Sequence, residues 1–176
     1  MLQITTSRLR LLPLNPEQLQ LLVENRVALE RDLGLHTSVI ELSADDSFWD
    51  EYESAMSEFV LPMVTLHPND YPWFTHWIII HSDLNRIIGG IGMGGLPNPD
   101  GEVMLGYYID RHFEGQGLTT EAVQGLTGWA FLNDELTAMI ADTPVGHIAS
   151  QKVLQKNGFV FAGAVEEGLR WQLLRK

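Results

Sequence analysis

Residues 113–123 read FEGQGLTTEAV, and the reading of this stretch decides the fold. Before it, Val103–Ile109 is rich in strand-forming residues. After it, Leu118, Ala122, Leu126 and Ala130 recur at helical spacing. Gly115 and Gly117 therefore stand at a strand-to-helix turn that contains no lysine or arginine. One account is a tight bend before a capped helix. The other is a loop whose bare amides hold an anion. The first N–H groups of a helix lack intrahelical acceptors, the helix dipole favours negative charge, and glycine lets a ligand approach the backbone. The residues of the loop leave both accounts open.

A second glycine-rich run, Gly90 to Gly95, matches G-x-G-x-x-G literally. A dinucleotide fingerprint must open a helix, and this run is followed by LPNPDGE, which cannot be one. It reads as a glycine-rich strand, where missing side chains ease a bend or admit another backbone. Neither a P-loop nor a G-x-S-x-G elbow occurs. His36, His67, His76, His81, His112 and His147 are dispersed and cysteine is absent, so no metal is expected.

Working outward, Leu2–Leu14 reads as a first strand ended by Pro13 and Pro16. Residues 16–34 read as a helix, with Pro16 in its first turn and Gly34 at its end. Residues 43–60 read as a second helix, capped by Ser43 or Asp45, with Phe48, Tyr52, Met56 and Phe59 on its apolar face. Trp73–His81, Arg86–Leu96 and Val103–Ile109 read as an antiparallel meander. Then follow a helix over 117–131, a strand over 136–141 and a helix over 147–156 closed by Asn157-Gly158. Two last strands, 159–165 and 169–174, flank the turn EEG. This order predicts one α/β domain over residues 1–176, with a mixed sheet and about four helices.

The chain has 176 residues, 45% hydrophobic and 19% charged, an ordinary globular composition. The net charge of −12 argues against a nucleic-acid partner, which needs clustered cations. It would attract cationic acceptors such as amines or basic peptides, although plain solubility accounts for it equally. The N-terminal MLQITTSRLRLL lacks the apolar run of a leader, and no segment is long and apolar enough for a bilayer. A cytoplasmic protein without membrane contact is expected, as a monomer or a homodimer.

The stretches GYYIDRHFEGQGLTTEAV and HIASQKVLQKNGF, in this order, resemble the GNAT superfamily of acyl-CoA-dependent N-acyltransferases, and within it the RimJ/RimL-like ribosomal-protein N-acetyltransferases. The element order is also similar, over essentially the whole chain. The resemblance implies a mostly antiparallel mixed sheet splayed at its central strand, with acetyl-CoA as cosubstrate and no metal. It implies that the cofactor pyrophosphate sits on the amides of Glu114, Gly115, Gln116, Gly117, Leu118 and Thr119. The pantetheine arm would pair with Tyr107, Tyr108 and Ile109, where a strand amide polarises the thioester carbonyl. A neutral primary amine, on a small molecule or a peptide, would attack directly. Ser150 matches the serine that hydrogen-bonds the departing sulfur in this branch, while Leu154 stands where many members carry a tyrosine. Glu102, near the start of the central strand, is the candidate base, or simply a turn carboxylate. Tyr107 would line the acyl end or belong to the core. Three residues depart from the pattern. Glu114 replaces Arg or Gln, Thr119 replaces Gly or Ala, and His147 replaces the asparagine that bonds the cofactor or ties strand to helix. They motivate an alternative, a degenerate acyl-CoA-binding or interaction module without turnover.

Overall fold

The computed structural model describes residues 2–43, 47–166 and 168–176. Among these, eight strands form one sheet in the order β1-β2-β3-β4-β5-β6-β8-β7. The strands are β1 (Ile4–Thr5), β2 (Leu9–Pro13), β3 (His76–His81), β4 (Arg86–Met93), β5 (Glu102–Ile109), β6 (Ala138–Thr143), β7 (Val160–Val165) and β8 (Gly168–Leu174). The meander β3-β4-β5 is antiparallel, as its turn residues predict.

The first expected strand is instead a hairpin, with Ile4 facing Leu11 and Thr5 facing Arg10. Thr6 makes the reversal. Its Oγ1 accepts from the Leu9 amide at 3.1 Å, and its own amide donates to the Leu9 carbonyl at 2.9 Å. Such side-chain bonds compete with a continuous strand.

The first helix opens as expected, with Pro16 in its first turn and an Asn15–Gln18 capping box. It then breaks into α1 (Pro16–Glu24) and α2 (Arg26–Asp32). Asn25 causes the break, because its side chain accepts from the Ala28 amide and caps the next helix. Gly34 follows α2 with φ of 66°.

The second helix comprises α3 (Ser47–Ala55), a π-helical turn over Met56–Val60 and α4 (Leu61–Leu66). Asp45 lies outside the described residues, and Ser43 lies in the bend before them. The wide turn shifts the phase of the helix. Phe59, expected inside, is 68% exposed, and Val60 and Leu61 pack inward instead. Pro62, which cannot complete a regular turn, is the sequence cause. Trp73 was expected in a strand but belongs to α5 (Tyr71–Phe74), which carries Pro72 in its first turn.

The remaining helices are α6 (Leu118–Ala130) and α7 (Ile148–Lys156). Among the described residues no helix is long and apolar enough to cross a membrane. Two cores lie on opposite faces of the sheet. One holds Leu118, Ala122, Leu126 and Leu154 of α6 and α7. The other holds Leu19, Leu29 and Val64 of α1, α2 and α4. Alternation along β5 sends Tyr107 and Ile109 to the first core and Tyr108 to the second.

Candidate active site

The sheet divides at β5. Its first residues, Glu102 to Met104, pair in parallel with Ala138 to Ile140 of β6. Its later residues, Leu105 to Ile109, pair only with β4, and Ala141 to Thr143 pair only with β8. The two halves of the sheet therefore part beyond Met104. The β6-facing edge of Leu105–Ile109 is left without a ladder partner among the described strands, so its backbone groups are free to bond another extended chain.

The glycine loop lies just beyond this edge. Asp110 caps a single 3-10 turn, Arg111–Phe113, by accepting from the His112 amide. Glu114, Gly115, Gln116 and Gly117 are exposed. Gly115 and Gly117 have φ of 71° and 76°, a conformation that non-glycine residues adopt at a cost. Gly117 is the N-cap of α6 and supplies no side-chain bond. The amides of Leu118, Thr119 and Thr120 open the helix without intrahelical acceptors.

The loop contains no cation, but the fold brings one to it. Arg8, from the β1–β2 turn, donates from Nη1 to the Gln116 carbonyl at 2.9 Å and from Nε to Glu121 Oε2 at 2.7 Å. Glu121 also accepts from Thr6 Oγ1 at 2.6 Å, Ser7 Oγ at 3.0 Å and the Arg8 amide at 2.8 Å. Burial works to raise the Glu121 pKa, and these four bonds outweigh it, holding the carboxyl down to about 2. The acidic residue of T-E-A-V thus staples the first hairpin to the loop. A separation of 113 residues hides this contact from the sequence.

Across the opening, β5 and α7 meet at Tyr107 and Ser150. Tyr107 Oη and Ser150 Oγ are 2.8 Å apart, and Tyr107 Oη also lies 3.3 Å from the Ser150 carbonyl. Ser150 is 8% exposed, in the first turn of α7. Burial pushes the Tyr107 phenol up to about 12, against the smaller opposing effect of the Ser150 bond. Glu102 does not join them. It begins β5, five residues earlier, about 17 Å away at the usual strand rise and on the other face. Gln172 Nε2 stands 3.4 Å from its carboxylate.

On that other face, Tyr108 belongs to a group of rings. Its Oη is 3.4 Å from both Tyr52 Oη and His76 Nε2. Phe48 and Trp49 pack edge-on against it. His76 lies parallel to Tyr108 and crosses Gly90, where a Cβ would stand 2.0 Å from the imidazole. The glycine-rich strand is therefore a seat for a ring and for the close approach of β5. Burial lowers the His76 pKa to about 4, so the ring is neutral at neutral pH. Beside these rings a cleft of about 710 Å³ runs between α1, α2 and α3. Trp49, Tyr52 and Tyr108 line it, with Glu24 and Glu53 as acidic members and Arg26 as a basic one. Trp73 is buried against Trp129 in the α6 core.

A profile of the Acetyltransferase (GNAT) domain matches residues 8–160. The chain belongs to the GNAT acetyltransferase family. Among similar proteins, the uncharacterized N-acetyltransferase YjdG of Bacillus subtilis (strain 168) is 30% identical over 103 residues. That match covers 58% of this chain and 61% of the relative. The ribosomal-protein-serine acetyltransferase of Escherichia coli (strain K12) is 26% identical over 104 residues, 59% of this chain and 56% of the relative. The match thus spans rather more than half the length of these relatives. Among solved structures, a RimL ribosomal L7/L12 alpha-N-protein acetyltransferase in complex with coenzyme A superposes with a TM-score of 0.69 at 16% identity, covering 98% of both chains. The acetyltransferase from Salmonella typhimurium that modifies the N-terminal serine of L7/L12 gives 0.67 at 16% identity, over 99% of this chain and 100% of that one. The likeness to these structures is one of fold.

Two of the three departures from the GNAT pattern, Glu114 and His147, have local accounts. Glu114 is exposed, while the Arg8 guanidinium stands on the loop at Gln116. His147 is exposed and makes no side-chain cap for α7. Gln151 Nε2 ties the helix back to the preceding loop, donating to the Val145 carbonyl at 2.8 Å. Leu154 is fully buried, a core residue rather than a functional one.

Proposed function

We propose that this chain transfers an acetyl group from acetyl-CoA to a primary amine by direct attack. The parting of β5 from β6, with the glycine loop at its mouth, carries the reading. The unpaired edge at Tyr107, Tyr108 and Ile109 offers an extended pantetheine arm the bonds of an added strand. The amides of Glu114 through Thr119 offer the pyrophosphate a cradle that needs no cation of its own. Arg8 adds positive charge beside it. Ser150, buried in the opening, is assigned the hydrogen bond to the departing sulfur.

The cleft bounded by Trp49, Tyr52 and Tyr108 suits the acceptor, and Glu24 and Glu53 favour a cationic one. The N-terminal acetylation of L7/L12 by the structurally similar enzymes supports a protein N-terminus. Glu102 does not touch the Tyr107–Ser150 pair, so the amine proton is assigned to solvent rather than to Glu102 directly. We infer a single catalytic unit over residues 1–176 working in the cytoplasm, as a monomer or homodimer.

Calorimetry with acetyl-CoA tests the cofactor. Saturable binding of one molecule per chain is expected, and no heat at roughly millimolar cofactor, the upper end of ordinary KM values, sinks the reading. Thiol release across a panel of N-terminal peptides and small amines then tests turnover. Binding without release from any amine would return the chain to a binding module.

A further inference from the structure

The Tyr107–Ser150 bond joins two residues that proton delivery can use together. Ser150 Oγ has one proton to give and two lone pairs to accept with. Among the described residues, Tyr107 is its hydrogen-bond partner. The phenol lies on the unpaired part of β5 and the serine on α7, so their bond spans the opening itself. The nearer acceptor for the phenol is the hydroxyl at 2.8 Å rather than the carbonyl at 3.3 Å. With the phenol donating into Oγ, the serine proton is free to point into the opening. A lone serine hydroxyl is a poor acid; one that receives a proton as it gives one is a better donor.

We propose that Tyr107 is a positioning residue that acts through Ser150, as the second link of a proton chain to the leaving thiol. The inference rests on the reading of acetyl transfer from acetyl-CoA, with Ser150 at the sulfur. The amine nitrogen bonds to the thioester carbon, and the carbonyl π pair moves to oxygen. The amine proton passes to solvent. The oxyanion pair then reforms the carbonyl, the C–S bond breaks and its electron pair leaves on sulfur. Sulfur takes the Ser150 proton, Ser150 takes that of Tyr107, and solvent returns a proton to Tyr107. The sum is amide plus CoA thiol. Burial keeps Tyr107 protonated across the working pH range, so the phenol has a proton to give.

Tyr107→Phe keeps the ring and removes only Oη. With acetyl-CoA, kcat should fall roughly tenfold, the low end of acid–base contributions, with KM for acetyl-CoA changed less than about twofold. Ser150→Ala should lower kcat at least as much. The double variant should fall no further, because the residues act in one chain. Ser150→Thr, which retains the hydroxyl, should keep most of the rate.

A second readout avoids turnover. The chain has no cysteine, so alkylation of bound CoA against pH reports the thiolate of CoA alone. Hydrogen-bond donors favour the thiolate, so its titration should move to higher pH in Tyr107→Phe. An unchanged kcat, independent losses in the double variant, or an unmoved thiol titration each overturns the proposal. Should Tyr107→Phe not fold, fluorotyrosine at position 107 changes the acidity of the phenol with little change in shape. A several-fold change in kcat is then expected, and none overturns the chain. A wild-type protein that neither binds nor turns over acetyl-CoA overturns the activity itself, which is a separate outcome.

Discussion

The glycines of β4 and those ahead of α6 lack side chains for opposite reasons. At Gly89 a Cβ would stand 2.4 Å from the Tyr108 carbonyl oxygen, and at Gly90 2.0 Å from the His76 ring. At Gly115 nothing lies within 4 Å, and at Gly117 the nearest atom is Arg8 Nη2 at 3.7 Å. The first pair makes room inside the molecule. The second pair reaches a backbone angle and leaves the surface before it open. Identical residue types thus serve packing in one place and an open backbone turn in the other, and only the neighbours tell them apart.

Gly89→Ala gives the sharpest way to break this contrast. Its obstacle is backbone, which cannot turn aside, so about 3 kcal/mol of stability should be lost. A denaturation midpoint equal to wild type would refute the crowding. Gly90→Ala meets two rings, His76 and, at 2.8 Å, Tyr108, so a loss of about 2 kcal/mol is expected. His76→Ala should relieve the part due to the imidazole, and fully additive losses in the pair would show that this ring is not an obstacle.

On the second stretch, Glu121→Gln removes the charge that gathers Thr6, Ser7 and Arg8, for about 1–2 kcal/mol at neutral pH. The pH dependence follows from the depressed Glu121 pKa. The carboxylate contributes its full stability above the unfolded value near 4.5 and loses it as pH falls towards about 2. The wild type should therefore weaken more steeply than Glu121→Gln over that window, and parallel acid melts would remove Glu121 from the account. Gly117→Ala should cost least in stability, about 1 kcal/mol for a left-handed backbone angle. Its main effect should be roughly tenfold weaker acetyl-CoA binding, read by calorimetry. Unchanged affinity would make the loop a plain turn.

Legibility followed the range of the interactions. Helix α6 and the Gly158 cap depend on residues within a turn or two, and the sequence showed them. Asn25 and Pro62 were equally visible, but each disturbs a helix whose apolar spacing continues past it. Periodicity therefore joined α1 to α2 and put Phe59 on the wrong face. The glycine loop was legible from its context between strand and helix. Arg8 was not, because its partners at Gln116 and Glu121 are more than a hundred residues away. The grouping of His76, Tyr108 and Tyr52 was hidden likewise, since it depends on strand register across Gly90. Glu102 and Ser150 were both read as candidates, yet nothing in their spacing showed that Glu102 lies in the paired part of β5 and Ser150 at the opening.

The consecutive tyrosines of β5 have an evolutionary consequence. Tyr107 faces the α7 side and Tyr108 the cleft, so a point substitution at either can alter one face while sparing the other. A one-residue insertion within the strand before them would exchange both at once. Substitution around Tyr108 can therefore reshape the cleft without touching the Tyr107–Ser150 bond, while a length change spares both faces only outside the strand, as in the turn at Asn98–Gly101 that precedes it.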